Sequence, residues 1–111
     1  MNPARLQQLF QFLEKAPDDS FTLYSIAYEY LQLGELNKAV EYFQKLRGND
    51  PNYIGLYYHL GKTLLLLDQA EEAKKTYQTG IKLSQEQGDK HAEGELQRAL
   101  QQQLDEEMWD D

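Results

Sequence analysis

The sequence predicts an all-α protein, a solenoid of helix-turn-helix units with two full repeats and a flanking helix at each end. Three observations lead there. The chain repeats itself at a fixed offset: Pro17 recurs 34 residues on as Pro51, Tyr24 as Tyr58, Leu31 as Leu65, Leu33 as Leu67, Ala39 as Ala73 and Gln44 as Gln78. A period of this length marks stacked supersecondary units, none of which buries its apolar face alone. Within the repeats, apolar residues fall at i, i+3, i+4 and i+7, the spacing of one helix face. Between them stand clusters of breakers, Pro17-Asp18-Asp19, Gly34 and Gly48-Asn49-Asp50-Pro51.

The elements follow in order. Leu6, Leu9, Phe10 and Leu13 give a first helix over 4–15, closed by Pro17, which pushes the residue before it out of helical geometry. Asp18, Asp19 and Ser20 are cap candidates for a second helix over 19–33, with Leu23, Ile26, Ala27 and Tyr30 inward and Ser20 the simplest cap or near-cap. Gly34 suits a left-handed turn. A third helix over 36–47 turns Leu36, Ala39, Val40, Phe43 and Leu46 inward. The pattern restarts at 53–66 with Tyr57, Leu60, Gly61 and Leu64. Asp68 takes the place of Gly34, since Asp tolerates the left-handed backbone better than most residues. A fifth helix begins near 69 with Ala70, Ala73, Tyr77, Ile81 and Leu83 inward. No proline stands at Gln85, where the period calls for one, so this helix runs on to Gly88. A sixth, over 89–105, carries Ala92, Leu96, Ala99, Leu100 and Leu104 on one side. Lys90, Glu93, Glu95, Gln97, Gln101 and Gln102 lie on the other, the two-faced design of a helix that caps a stack and ends an array. Residues 106–111 lack periodicity and read as a frayed acidic tail, or as an apolar Trp109 segment docked on another copy.

These residues resemble the tetratricopeptide repeat family. The family pattern has a large aliphatic residue then a small one midway through the first helix, here Ile26-Ala27 and Leu60-Gly61. It has alanine early in the second helix, an aromatic four residues later and a proline at the unit's end, here Ala39, Phe43 and Pro51, then Ala73 and Tyr77. The match divides the single domain into an N-terminal helix (1–17), repeat 1 (20–53), repeat 2 (54–87), a capping helix (88–105) and the tail (106–111). Departures are Leu23 where an aromatic is common, Gly80 in place of alanine and Leu64 where tyrosine is frequent. The small residues also have a physical reading: Ala27, Gly61, Ala39 and Ala73 are points of close helix approach, and Tyr30, Phe43, Tyr57 and Tyr77 fill the space around them.

The 111 residues carry 41% hydrophobic residues, no cysteine and a net charge of −8. That charge argues against nucleic acid, which needs clustered Lys and Arg, and against anionic membrane surfaces. The longest apolar run, Leu64–Leu67, is far short of a membrane span, and the N-terminus lacks the continuous apolar core of a signal peptide. A cytoplasmic location is the expectation. His59 and His91 have no metal-ligand spacing, Ser20, Ser25 and Ser84 no nucleophile context, and the paired acids Glu71-Glu72 and Glu106-Glu107 diverge around a helix. Glu71 and Lys75 read as an i,i+4 ion pair. No enzyme, cofactor or metal site is expected.

One constellation remains. Beside the core stripe of each repeat's first helix lies a second: Phe21, Tyr24, Tyr28 and Leu31, then Tyr58, Lys62 and Leu65. The resemblance places this stripe along the concave groove of such arrays. The expected binding residues are therefore Tyr24, Tyr28, Leu31, Tyr58, Lys62 and Leu65, holding a protein or peptide partner. Tyrosine suits an interface because it joins a large apolar face to a polar tip. A family subclass grips chaperone C-terminal carboxylates with Lys and Asn; Tyr24, Tyr28, Tyr58 and Lys62 at the matching positions depart from that set. The alternative reading is a structural module that self-associates into homo-oligomers.

Overall fold

The computed structural model describes residues 3–109. Six helices follow in order: α1 (Pro3–Lys15), α2 (Ser20–Gln32), α3 (Leu36–Asn49), α4 (Gly55–Leu66), α5 (Ala70–Gln87) and α6 (Lys90–Trp109). Among the described residues there is no strand. The chain forms two compact units, Met1–Leu56 and Tyr57–Asp111, so the division falls in the first turn of α4.

In the first unit α2 packs on both α1 and α3. Leu23, Ile26, Ala27, Ala39, Phe43 and Leu46 are fully buried. Each of the large ones adds about 1.5–3 kcal/mol of transfer free energy. Tyr30, expected inside, is only half-buried. It stacks on Tyr42 at 5.8 Å, and Phe10 of α1 meets both rings at 6.3 and 5.9 Å. Arg5 reaches Glu29 at 2.8 Å. The N-cap of α2 is Asp19, which accepts from the Thr22 amide at 3.0 Å and from its hydroxyl at 2.7 Å. These bonds hold the Asp19 carboxyl below its ordinary pKa. Of the three cap candidates Asp19 takes the role, and Ser20, next to it, donates to Asp50 at 2.7 Å and so ties the start of α2 to the end of α3. Helix α3 continues through Gly48 to Asn49, beyond the expected end at 47.

Three helices close in the same way. Gly34, Asp68 and Gly88 have φ of 78°, 61° and 72°. The next amide in each case reaches back five residues: Glu35 to Tyr30, Gln69 to Leu64 and Asp89 to Ser84, all at 2.9 Å. This is the Schellman closure, which satisfies carbonyls left over at a helix end. Asp68 does occupy the left-handed position as its alignment with Gly34 predicts.

In the second unit Tyr57, Leu60, Gly61, Leu64, Ala73, Tyr77, Gly80 and Leu96 are buried. A Cβ on Gly61 would lie 2.7 Å from ring carbons of Tyr77. A Cβ on Gly80 would lie 2.7 Å from Tyr57 Cβ and 2.9 Å from Leu96 Cδ1, which explains glycine where the family prefers alanine. Buried Thr63, Thr76 and Ser84 satisfy their hydroxyls on carbonyls of their own helices, at 2.6, 2.7 and 2.8 Å. Helix α5 does run to Gln87, with Gly88 as its cap.

The tail differs from expectation. Residues 106–109 continue α6 rather than fraying. Gln103, buried though polar, donates to the Ala70 carbonyl at 2.8 Å and to Glu107 at 3.0 Å. Glu107 pairs with Lys74 at 2.9 Å. These contacts hold the last turns of α6 to the start of α5. Leu104, expected inward, is 39% exposed, because Gln103 takes the inward position. Lys74 also reaches Glu71 at 3.4 Å and Lys75 reaches Glu72 at 3.8 Å, so the pairs on α5 are i,i+3 rather than the expected Glu71–Lys75.

Candidate functional site

The second stripe of α2 sits on the first unit. Tyr24 is half-buried among rings: Tyr53 at 5.3 Å, Phe43 at 6.2 Å and Tyr28 stacked at 6.4 Å. Tyr28 is the more open of the pair and Leu31 is half-buried. Tyr53, unassigned by the periodicity, completes the cluster; burial raises its pKa, with Asp50 and Asp19 adding to the effect. Phe21 joins a different neighbourhood. It lines an open concavity of about 310 Å³ with Arg5, Gln8, Leu9 and Phe12. Phe21 and Phe12 are 64% and 53% exposed.

The corresponding stripe of α4 lies on the second unit. Tyr58, Lys62 and Leu65 are spaced i, i+4, i+7 and therefore share a face. All three line a groove of about 650 Å³ whose other wall is α6, with Glu95, Arg98, Ala99 and Gln102. Tyr77 forms part of the lining beneath them. The Lys62 ammonium stands 5.3 Å from the centroid of the Tyr58 ring and 3.4 Å from its hydroxyl. It is placed by a cation–π contact and stays exposed to solvent.

Electrostatics narrow what the groove can do. Burial pushes the Tyr77 hydroxyl up to about 12, with Tyr58 nearby adding to it. A phenol so weakly acidic stays neutral at pH 7. His59, edge-on to Tyr58 at 5.2 Å, has its pKa lowered chiefly by burial; Glu95 opposes the shift and Lys62 reinforces it. It is therefore neutral at pH 7. The charged lining is mixed, Lys62 and Arg98 against Glu95 and Glu106. Such a groove offers apolar area with both signs of charge at its edges.

The α6 wall was not foreseen. Glu95 and Gln102 read from sequence as an outward polar face, and Arg98 carried no assignment. Their spacing of three and four residues, beside buried Leu96 and Gln103, is the signal that places them along one edge. Among the described residues, no group of three or more His, Asp or Glu is placed to hold a metal ion, and no helix is long and apolar enough to cross a membrane.

Comparison with known proteins bears on the repeat. The tetratricopeptide repeat profile matches residues 30–92. A tetratricopeptide repeat domain protein from Salinibacter ruber, of known crystal structure, is 38% identical, with a TM-score of 0.74 over 78% of this chain and 96% of that one. A TPR repeat-containing protein of Pseudomonas aeruginosa is 26% identical over 82% of this chain and 87% of its own length. The TPR2B domain of yeast Sti1, solved in a complex with pHsp70, shares the fold at a TM-score of 0.87 over 94% of this chain and 83% of its own, with 15% identity. The duplicated small-residue and aromatic positions, the helix pairs and these matches agree: the chain belongs to the tetratricopeptide repeat family.

Proposed function

We propose that the protein is an interaction module that holds a segment of a partner protein, and that the groove between α4 and α6 is where it does so. The observation that carries this reading is the lining itself: Tyr58, Lys62 and Leu65 face Arg98 and Gln102 across an open groove, none of them buried in the core. Lys62, held beside Tyr58, orients an acidic side chain or a carbonyl, while Tyr58 and Leu65 supply apolar area. The pHsp70 complex of the Sti1 domain supports this class of activity for the shared fold. The test is to select displayed peptides against the intact protein and measure their affinity for Tyr58→Ala and Lys62→Ala. Loss of about 1–2 kcal/mol of binding with an unchanged melting temperature supports the reading; retained affinity refutes it.

Self-association is the second reading, favoured by one observation, the exposed Phe12 and Phe21 on the first unit. Sedimentation at two concentrations separates the two. A mass that grows with concentration and falls back in Phe12→Ser/Phe21→Ser supports self-association.

A further inference from the structure

We propose that the surface around Trp109 on α6 is a second docking surface, adjoining the α4–α6 groove, with which it shares Arg98, Gln102 and Glu106, and that its occupant is a basic amphipathic segment of a partner protein. Gln103 and Glu107 face α5, where they meet Ala70 and Lys74. The rest of this end faces solvent. Leu104, Met108 and Trp109 are 39%, 74% and 83% exposed, and Trp109 is the only tryptophan in the chain. Trp109 lines an open concavity of about 480 Å³ together with Arg98, Gln101, Gln102, Asp105 and Glu106. A large ring in solvent with apolar neighbours is surface a monomeric protein has no folding reason to keep.

Charge identifies the occupant. The last described turn of α6 carries no basic residue. Asp105 and Glu106 accept only from the neutral amides of Gln101 and Gln102, at 2.9 and 3.1 Å. Among the described residues, no cation lies within ion-pair distance of either. Arg98 lines the same concavity without pairing with either carboxylate, and the arrangement suits a cationic visitor: an ammonium or guanidinium over the indole face, flanked by Asp105 and Glu106, with aliphatic side chains against Leu104 and Met108. A second copy would bring another −8 surface against these carboxylates, and nucleic acid or an anionic membrane would be repelled in the same way.

Trp109 is its own reporter. The intact protein is titrated with a synthetic helical peptide carrying lysine on one face and leucine on the other, and the tryptophan emission is followed. The expected result is a saturable blue shift with protection from acrylamide, and affinity about tenfold weaker in Asp105→Asn/Glu106→Gln. That variant keeps its helical signal and melts no lower than the parent. The control Glu41→Gln/Glu86→Gln removes the same net charge elsewhere and leaves affinity within about twofold. Trp109→Ala, read by calorimetry, loses binding, whereas Tyr58→Ala, which changes the groove alone, keeps it. Three results would each overturn the proposal: equal binding of the glutamate–leucine counterpart peptide, equal weakening in the control variant, or a blue shift that grows with protein concentration in the absence of peptide, which would make the occupant a second copy.

Discussion

Gly61 and Tyr77 fit each other by subtraction: the missing side chain on α4 leaves the space that the Tyr77 ring of α5 occupies. An added methyl would overlap that ring, which is fully buried. Gly61→Ala should therefore destabilise by about 1–3 kcal/mol, despite the better helix propensity of alanine. Urea unfolding measures it. Tyr77→Leu in the same background should recover part of the loss, and a purely additive double-mutant cycle would show that the two residues do not share the space.

Tyr24 and Tyr58 occupy equivalent repeat positions but have different surroundings. Tyr24 is enclosed by Tyr28, Phe43 and Tyr53, so Tyr24→Ala should cost about 1–3 kcal/mol of folding stability. Tyr58→Ala, on an open groove, should cost clearly less. Thermal melts of the two variants side by side check the difference.

His59 makes stability depend on mild acid. Its folded pKa lies below the ordinary 6.5, so on acidification the unfolded chain takes up a proton before the folded one does. Stability is complete above pH 6.5 and falls as the pH drops from there toward the folded pKa. His59→Gln should flatten the dependence of urea stability on pH below 6.5. An unchanged slope would mean that His59 titrates alike in both states.

The pairing of Glu107 with Lys74 closes α6, and the Glu107 pKa is lowered first by the Gln103 amide and then by Lys74. Its stabilising effect is therefore present above the ordinary carboxyl pKa of 4.5 and is lost as the pH falls through the lower folded value. Glu107→Gln should speed hydrogen exchange at residues 103–108 and leave the buried part of α5 unchanged.

The helices and their closures were legible because local rules govern them. Asp68 aligned with Gly34 and took its left-handed backbone, and the absent proline at Gln85 lengthened α5 as expected. Side-chain choices made across the chain were not legible. Gln103 looks like one more polar surface residue until its amide meets the Ala70 carbonyl. Residues 106–109 lack apolar periodicity, yet they stay helical where a Glu107–Lys74 contact holds them. Residue type allowed Asp18, Asp19 or Ser20 to cap α2; which of them does so is decided by the contact of the Ser20 hydroxyl with Asp50, which leaves the role to Asp19. For the site, α4 supplied its half of the groove in the repeat pattern, whereas Arg98 and Glu95 come from the part of α6 beyond the repeat match, which ends at residue 92, and so had no pattern to mark them.

The most direct measurement is an NMR titration of isotope-labelled protein with a peptide selected against it. Chemical-shift changes are expected to concentrate at Tyr58, Lys62 and Leu65 of α4 and at Glu95, Arg98 and Gln102 of α6, saturating at one peptide per chain. Shifts confined to other residues, with these six unmoved at saturation, would contradict it.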